Sequence, residues 1–303
     1  MRYLKPRSVD EASEALAGGA RALAGSTDLM VRLGRMEDWP AALVDLKGIA
    51  ALGGIRPLAP GEEGAPGDED IAPAASGARD DGDGAGGLRL GALVTLAELK
   101  AAPALHAWPA LAGACRVFAA RQIRNRATLG GNLANASPAA DTVPVLAAYG
   151  ARCVTNRRAL PVAELATGPK RTSLAPGELI TALELPAPPA GARSFFFKLA
   201  PREAMSIAVV SVAGCLEMDG PVVRRARLVL GSVAPTIVRA REAEAVLAGR
   251  RLAPETARAA AAAAAEAARP IDDLRARASY RKTMVARIVA YELSRLAREY
   301  AHS

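Results

Sequence analysis

The sequence predicts an α+β protein of two domains, and three observations carry that reading. Short strands alternate with helices through the first 186 residues, a Pro- and Gly-bearing link covers residues 186–191, and three strand-like runs beyond it are followed by three helix-like runs. Strands gathered ahead of helices are the pattern of a separate α+β domain. At 303 residues the chain can bury two or three cores.

In chain order, SVDEASEALA (8–17) opens with a Ser cap and acids in its first turn, so it starts a helix, which Gly18 and Gly19 end. ARALAGSTDLM (20–30) reads as a short strand, a small-residue turn over Gly25, Ser26, Thr27 and Asp28, and a helix from Leu29. Free N–H groups at such a turn suit a phosphate, although a tight turn with an Asp cap has the same sequence. AALVD (41–45) is a short buried strand. Residues 57–87 hold eight acids and one Arg among Gly and Pro, too little apolar surface to fold, and are expected to be an exposed insertion.

LRLGALVTLAELKA (88–101) predicts a strand and then a helix, with Thr95 and Glu98 at capping-box spacing. PALAGACRVFAA (109–120) has the apolar spacing of a core helix ending near Arg121. A helix over 142–148 and strands near 151–155 and over 178–185 follow, the last stopped by Pro186. In the second domain, 193–200, 207–218 and 222–231 predict antiparallel strands, with a turn at Asp219-Gly220. Residues 235–249, 254–268 and 279–300 predict helices.

Composition excludes several functions. No apolar run reaches the ~18 residues of a membrane span, and the N-terminus lacks the apolar core of a secretory signal, so a cytoplasmic protein is expected. Cys115, Cys153 and Cys215 stand far apart and the only histidines are His106 and His302, which argues against a zinc site, an iron–sulfur cluster or a His-based nucleophile on this chain. Net charge is +8, and residues 57–87 contribute −7 of it, so the rest carries +15. The arginines are scattered among Ala and apolar positions without interleaved aromatics, which argues against nucleic acid and fits a phosphate-bearing ligand or an acidic partner.

The stretch FAARQIRNRATLGGNLANASPAAD (118–141) is the best candidate for such a ligand. Its two adjacent glycines allow close backbone approach and positive φ. Consecutive amides there can form an anion nest, with Thr128 and Asn132 as neutral donors. Gly pairs also mark ordinary loops, so the motif alone is weak.

Together AGSTDLM (24–30), ATLGGNLANASPAAD (127–141), GELITALELP (177–186), FFFKLAPRE (195–203) and YRKTMVARIVAYEL (280–293) resemble, in order and spacing, the FAD-binding subunit of molybdenum hydroxylases of the xanthine dehydrogenase and carbon monoxide dehydrogenase family. The resemblance covers nearly the whole chain outside 57–87. It implies a PCMH-type, vanillyl-alcohol-oxidase-like FAD domain of two α/β subdomains over 1–186 (1–56 and 88–186, around the insertion), then an antiparallel sheet-and-helix domain over 191–303.

By the same resemblance Ala24, Gly25, Ser26, Thr27, Asp28 and Leu29 form one pyrophosphate loop, and Thr128, Gly130, Gly131 and Asn132 the other. Phe118 packs on the adenine, Asp141 bonds a ribose, Ile180 meets the flavin ring through its backbone and Lys198 lies near the ring. Each has a plainer alternative: Phe118 as core, Asp141 as a helix cap, Lys198 as a solvated strand tip. Ser26 replaces a second Gly of many relatives, and Met205 stands where NAD-using relatives carry an acid, which disfavours NAD as acceptor.

The implied partners are a large molybdenum-pterin subunit and a small subunit with two [2Fe–2S] clusters, in a dimer of heterotrimers. Electrons from the clusters would reduce FAD and pass to an external acceptor. An autonomous flavin oxidoreductase of the same fold and a basic nucleic-acid-binding module are the alternatives.

Overall fold

The structure is a computed structural model that describes residues 1–35, 39–58 and 86–300. Most of the acidic insertion expected at 57–87 therefore lies outside the described residues. The chain forms two compact units: residues 1–103, 120–136 and 150–187 make the first, and residues 104–119, 137–149 and 188–303 the second.

The first unit holds two sheets. Strand Ala42–Asp45, buried at all four positions, lies between Arg2–Leu4 and Arg21–Leu23 in a parallel trio. Helix Val9–Ala17 supplies the crossover, capped by Ser8 as its sequence predicts and closed at Gly18. The second sheet is antiparallel, in the order Ile55–Pro57, Leu88–Gly91, Ile180–Leu185, Arg152–Thr155, Ala159–Pro161. Its outer strands and Arg2–Leu4 were not expected, because three-residue strands are too short to show a period of two. A register shift between Ile180 and Ala182 interrupts the central pairing.

Glu178 braces this sheet from inside, with its side chain 2% exposed. It accepts from Arg158 Nε at 2.8 Å, Thr155 Oγ1 at 2.9 Å and the Ala175 amide at 2.9 Å. Arg158 holds its carboxyl down at about 2, against the upward push of burial. A depressed carboxyl stabilises the fold above its unfolded value of 4.5, and that contribution disappears as pH falls from there through about 2. Glu178→Ala removes the charged acceptor that Arg158, Thr155 and the Ala175 amide share, and is expected to cost about 2–3 kcal/mol in urea unfolding at pH 7.

The second unit is one antiparallel sheet faced by helices. Strands Arg193–Leu199, Val210–Asp219 and Val222–Gly231 pair in sequence, and Val238–Arg239 and Arg250–Arg251 add to the last of them. Where 235–249 suggested one helix, the chain first makes the edge strand Val238–Arg239 and starts its helix at Arg241. The β-branched pair Ile237-Val238 suits a sheet edge better than a helix start. Helix Pro254–Ala267 turns Ala257, Ala260, Ala261 and Ala264 inward, and packs against helix Ala278–Glu299 through Val285, Ile288, Val289 and Leu293. Helices Pro109–Val117 and Thr142–Ala148 lie against the strands of this same unit.

Candidate functional site

In the first unit, strand Arg21–Leu23 runs into the turn Ala24–Asp28 and the short helix Leu29–Leu33. Ser26 sits at φ +68°, a conformation at ease for Gly, and its Oγ donates back to the Ala24 carbonyl at 3.2 Å. Among the described residues, the amides of Gly25 to Leu29 donate to no carbonyl, and Thr27 makes no side-chain hydrogen bond. A five-residue helix has little dipole, so an anion here would be held by amides rather than by the helix.

Thr128 begins the second stretch. Its Oγ1 accepts from the Gly131 amide at 3.2 Å, so the Gly pair lies in the first turn of helix Leu129–Ala134 rather than in an open bend. Neither glycine has positive φ. Their amides do not form the nest expected from the sequence. Leu129 and Gly130 donate to the Val94 and Ala92 carbonyls, each at 2.9 Å, and Asn132 donates to the Thr128 carbonyl at 2.9 Å.

Close packing explains the glycines instead. A Cβ on Gly130 would come within 2.7 Å of the Ala92 Cβ, and one on Gly131 within 2.7 Å of Thr128 Oγ1. The Ala92–Val94 turn is itself fixed by the Thr95–Glu98 capping box, with the Thr95 amide donating to Glu98 Oε2 at 2.7 Å and the Glu98 amide to Thr95 Oγ1 at 3.1 Å. Gly25 provides the tightest join, since a Cβ there would overlap the Arg126 carbonyl. The two glycine loops therefore touch backbone to backbone. Ile180, at the register shift, is 4% exposed, so only its backbone could serve a ligand.

In the second unit, Asp141 precedes helix Thr142–Ala148 but does not cap it. Its Oδ2 takes a hydrogen bond from Lys198 Nζ at 2.7 Å, and Lys198 also donates to the Val117 carbonyl at 3.3 Å. The lysine is no solvated tip: the paired side chains are 7% and 6% exposed. Asp141 Oδ1 is buried without a partner among the described residues. Burial pushes the Asp141 carboxyl up to about 6, against the downward pull of the Lys198 ammonium. Phe118 is the first residue beyond helix Pro109–Val117, half-buried and followed by Ala119 at φ +40°.

One polar residue on the first loop's side escaped the sequence reading. Lys170 Nζ lies 3.2 and 3.3 Å from the two Asp28 oxygens and donates to Asn135 Oδ1 at 2.7 Å. Nothing near Lys170 in sequence signals this, because its partners are 142 and 35 positions away.

These features fit FAD. Unspent amides at Gly25–Leu29 suit its diphosphate, and the orphaned Asp141 Oδ1 is an acceptor awaiting an O–H donor such as a ribose hydroxyl. Mixed sheets and helices with a small-residue turn of unspent amides are the class of fold and site that suits a subunit binding a flavin dinucleotide.

Residues 79–188 match the family model described as the FAD binding domain in molybdopterin dehydrogenase, and residues 195–294 the one described as the CO dehydrogenase flavoprotein C-terminal domain. The chain is 32% identical to the xanthine dehydrogenase FAD-binding subunit of Escherichia coli O157:H7 over 74% of its own length and 70% of that protein. It is 30% identical to the 6-hydroxypseudooxynicotine dehydrogenase complex subunit alpha of Paenarthrobacter nicotinovorans, over 97% and 94% respectively. Among solved structures, a carbon monoxide dehydrogenase from Hydrogenophaga pseudoflava superposes with a TM-score of 0.84 at 29% identity, covering 96% of this chain and 95% of that one. The chain belongs to the FAD-binding, medium-subunit family of the xanthine and carbon monoxide dehydrogenases.

Proposed function

We propose that this chain is the subunit through which a cytoplasmic molybdenum hydroxylase releases its electrons. It would take them from [2Fe–2S] clusters on a small partner, downstream of a molybdenum-pterin centre on a large partner, in a dimer of heterotrimers. Residues 1–186 would be its FAD-binding domain and 191–303 its C-terminal domain. The observation that carries the reading is the run of unspent amides at Gly25–Leu29, held in place by the Gly25 contact with Arg126.

FAD, when bound, supplies a carrier that can accept two electrons and hand them on. The chain's own residues bind and orient it. Ala24 to Leu29 would face the diphosphate with backbone amides, and the Thr128 hydroxyl, which among the described residues only accepts from Gly131, keeps its proton to donate. Gly130, Gly131 and Asn132 would set the second loop's distance from the ligand. Asp141 would take a ribose hydroxyl on Oδ1, while Lys198, bonded to its Oδ2, keeps that carboxylate charged. Phe118 would pack on the adenine and the Ile180 backbone would meet the ring.

Co-purification with native partners, a flavin spectrum and metal analysis test the proposal. Expected are one FAD per copy of this chain and molybdenum and iron confined to the partners. A complex without flavin absorbance, or a chain that turns over a diffusible substrate alone, would sink it.

A further inference from the structure

We propose that Lys170 is a positioning residue for the first loop: held by Asn135, its ammonium offsets the Asp28 carboxylate so that the loop can accept a diphosphate. The inference rests on the FAD reading above and assigns a new residue to it.

Lys170 lies between the strands Ala166–Gly168 and Arg171–Thr172, at φ +61°. Its amide donates to the Ala136 carbonyl at 2.9 Å, and Ala136 itself sits at φ +43°. Two non-glycine residues in the left-handed region, joined by a backbone bond, carry a conformational cost that something must offset. Stability of the ion pair alone does not offset it. The Lys170 and Asp28 side chains are 40% and 45% exposed, and solvent leaves such pairs with little net energy.

What the arrangement achieves is a cation held in one place. The ammonium is shared between both oxygens of Asp28, in the loop with unspent amides, and Asn135 Oδ1, at the end of helix Leu129–Ala134. It also settles a charge problem. An Asp inside a loop that receives a diphosphate repels it, and Lys170 is the cation that the structure places on that Asp.

The test titrates the full 303-residue chain with FAD, by quenching of flavin fluorescence, alongside the melting temperature without FAD. Lys170→Met is expected to weaken FAD binding about tenfold, and Lys170→Arg to restore most of it. In Lys170→Met combined with Asp28→Asn no uncompensated carboxylate remains, so binding should return to within about threefold of wild type. Unchanged affinity in Lys170→Met overturns the inference. A loss that the double variant does not recover overturns it too, whether or not the melting temperature falls, since charge on Asp28 is then not what Lys170 offsets. Failure of the wild-type chain to bind FAD would instead refute the cofactor reading.

Discussion

Gly25→Ala should leave the chain without FAD. A single methyl is enough, because the added carbon would overlap the Arg126 carbonyl, which is backbone and cannot rotate away. One of the two loops must retreat, and the amides of Gly25–Leu29 leave their aligned positions with it. Overpacking of this kind costs on the order of 3 kcal/mol or more when the obstacle is main chain. Gly113→Ala provides the contrast. That glycine is inside helix Pro109–Val117, its added Cβ meets only the tip of Arg116 at 3.8 Å, and the change should stabilise the protein by about 0.5–1 kcal/mol. Flavin absorbance per chain and chemical unfolding of both variants read the difference. If Gly25→Ala retained FAD at wild-type affinity, the loop contact would have no part in binding.

FAD affinity should fall as pH drops through about 6, and Asp141→Asn should remove that inflection. The reason is the buried Asp141 carboxyl, raised from 3.8 to about 6. Between those values the folded chain holds a proton that the unfolded chain has lost. The flavin-free fold therefore gains stability from this group as pH falls from 7 toward 4, by about 3 kcal/mol for a shift of this size. Ligand binding moves the opposite way, since a protonated Asp141 gives up its charged bond to Lys198 and is a poorer acceptor for a ribose hydroxyl. Asp141→Asn should also remove the pH dependence that this group gives to the stability of the flavin-free fold, since an amide carries no titrating proton. Fluorescence titrations from pH 5 to 8 and urea unfolding of the flavin-free protein check both halves. A flat binding profile in the wild type would rule Asp141 out as a ligand.

What could be read from the sequence was local. The Ser8 cap, the Thr95–Glu98 box and the alanine-lined helix Pro254–Ala267 all follow from residues within a few positions of one another, and each forms as expected. The Gly130-Gly131 pair was legible as important but not for its reason. Its amides find partners at the Ala92 carbonyl and the Thr128 hydroxyl, and its missing side chains make room for Ala92 and Thr128. Asp141 and Lys198 were singled out separately, and nothing in a linear pattern says that residues 57 positions apart share one hydrogen bond. Lys170 was missed for the same reason, with its partner Asp28 142 positions away. The strand Val238–Arg239 was lost because two residues at a sheet edge carry too little pattern to interrupt a helical reading.

The interleaving of the two units has a consequence for how the protein is made. Residues 104–119 and 137–149 are synthesised among segments of the first unit, yet their sheet partners come from residue 193 onward. During translation, apolar faces such as Ala110, Leu111 and Ala114 have no lasting cover until strands Arg193–Leu199 and Val210–Asp219 leave the ribosome. Cutting the gene at residue 187 would strip those helices of their sheet, so the two parts cannot be exchanged between relatives as independent cassettes.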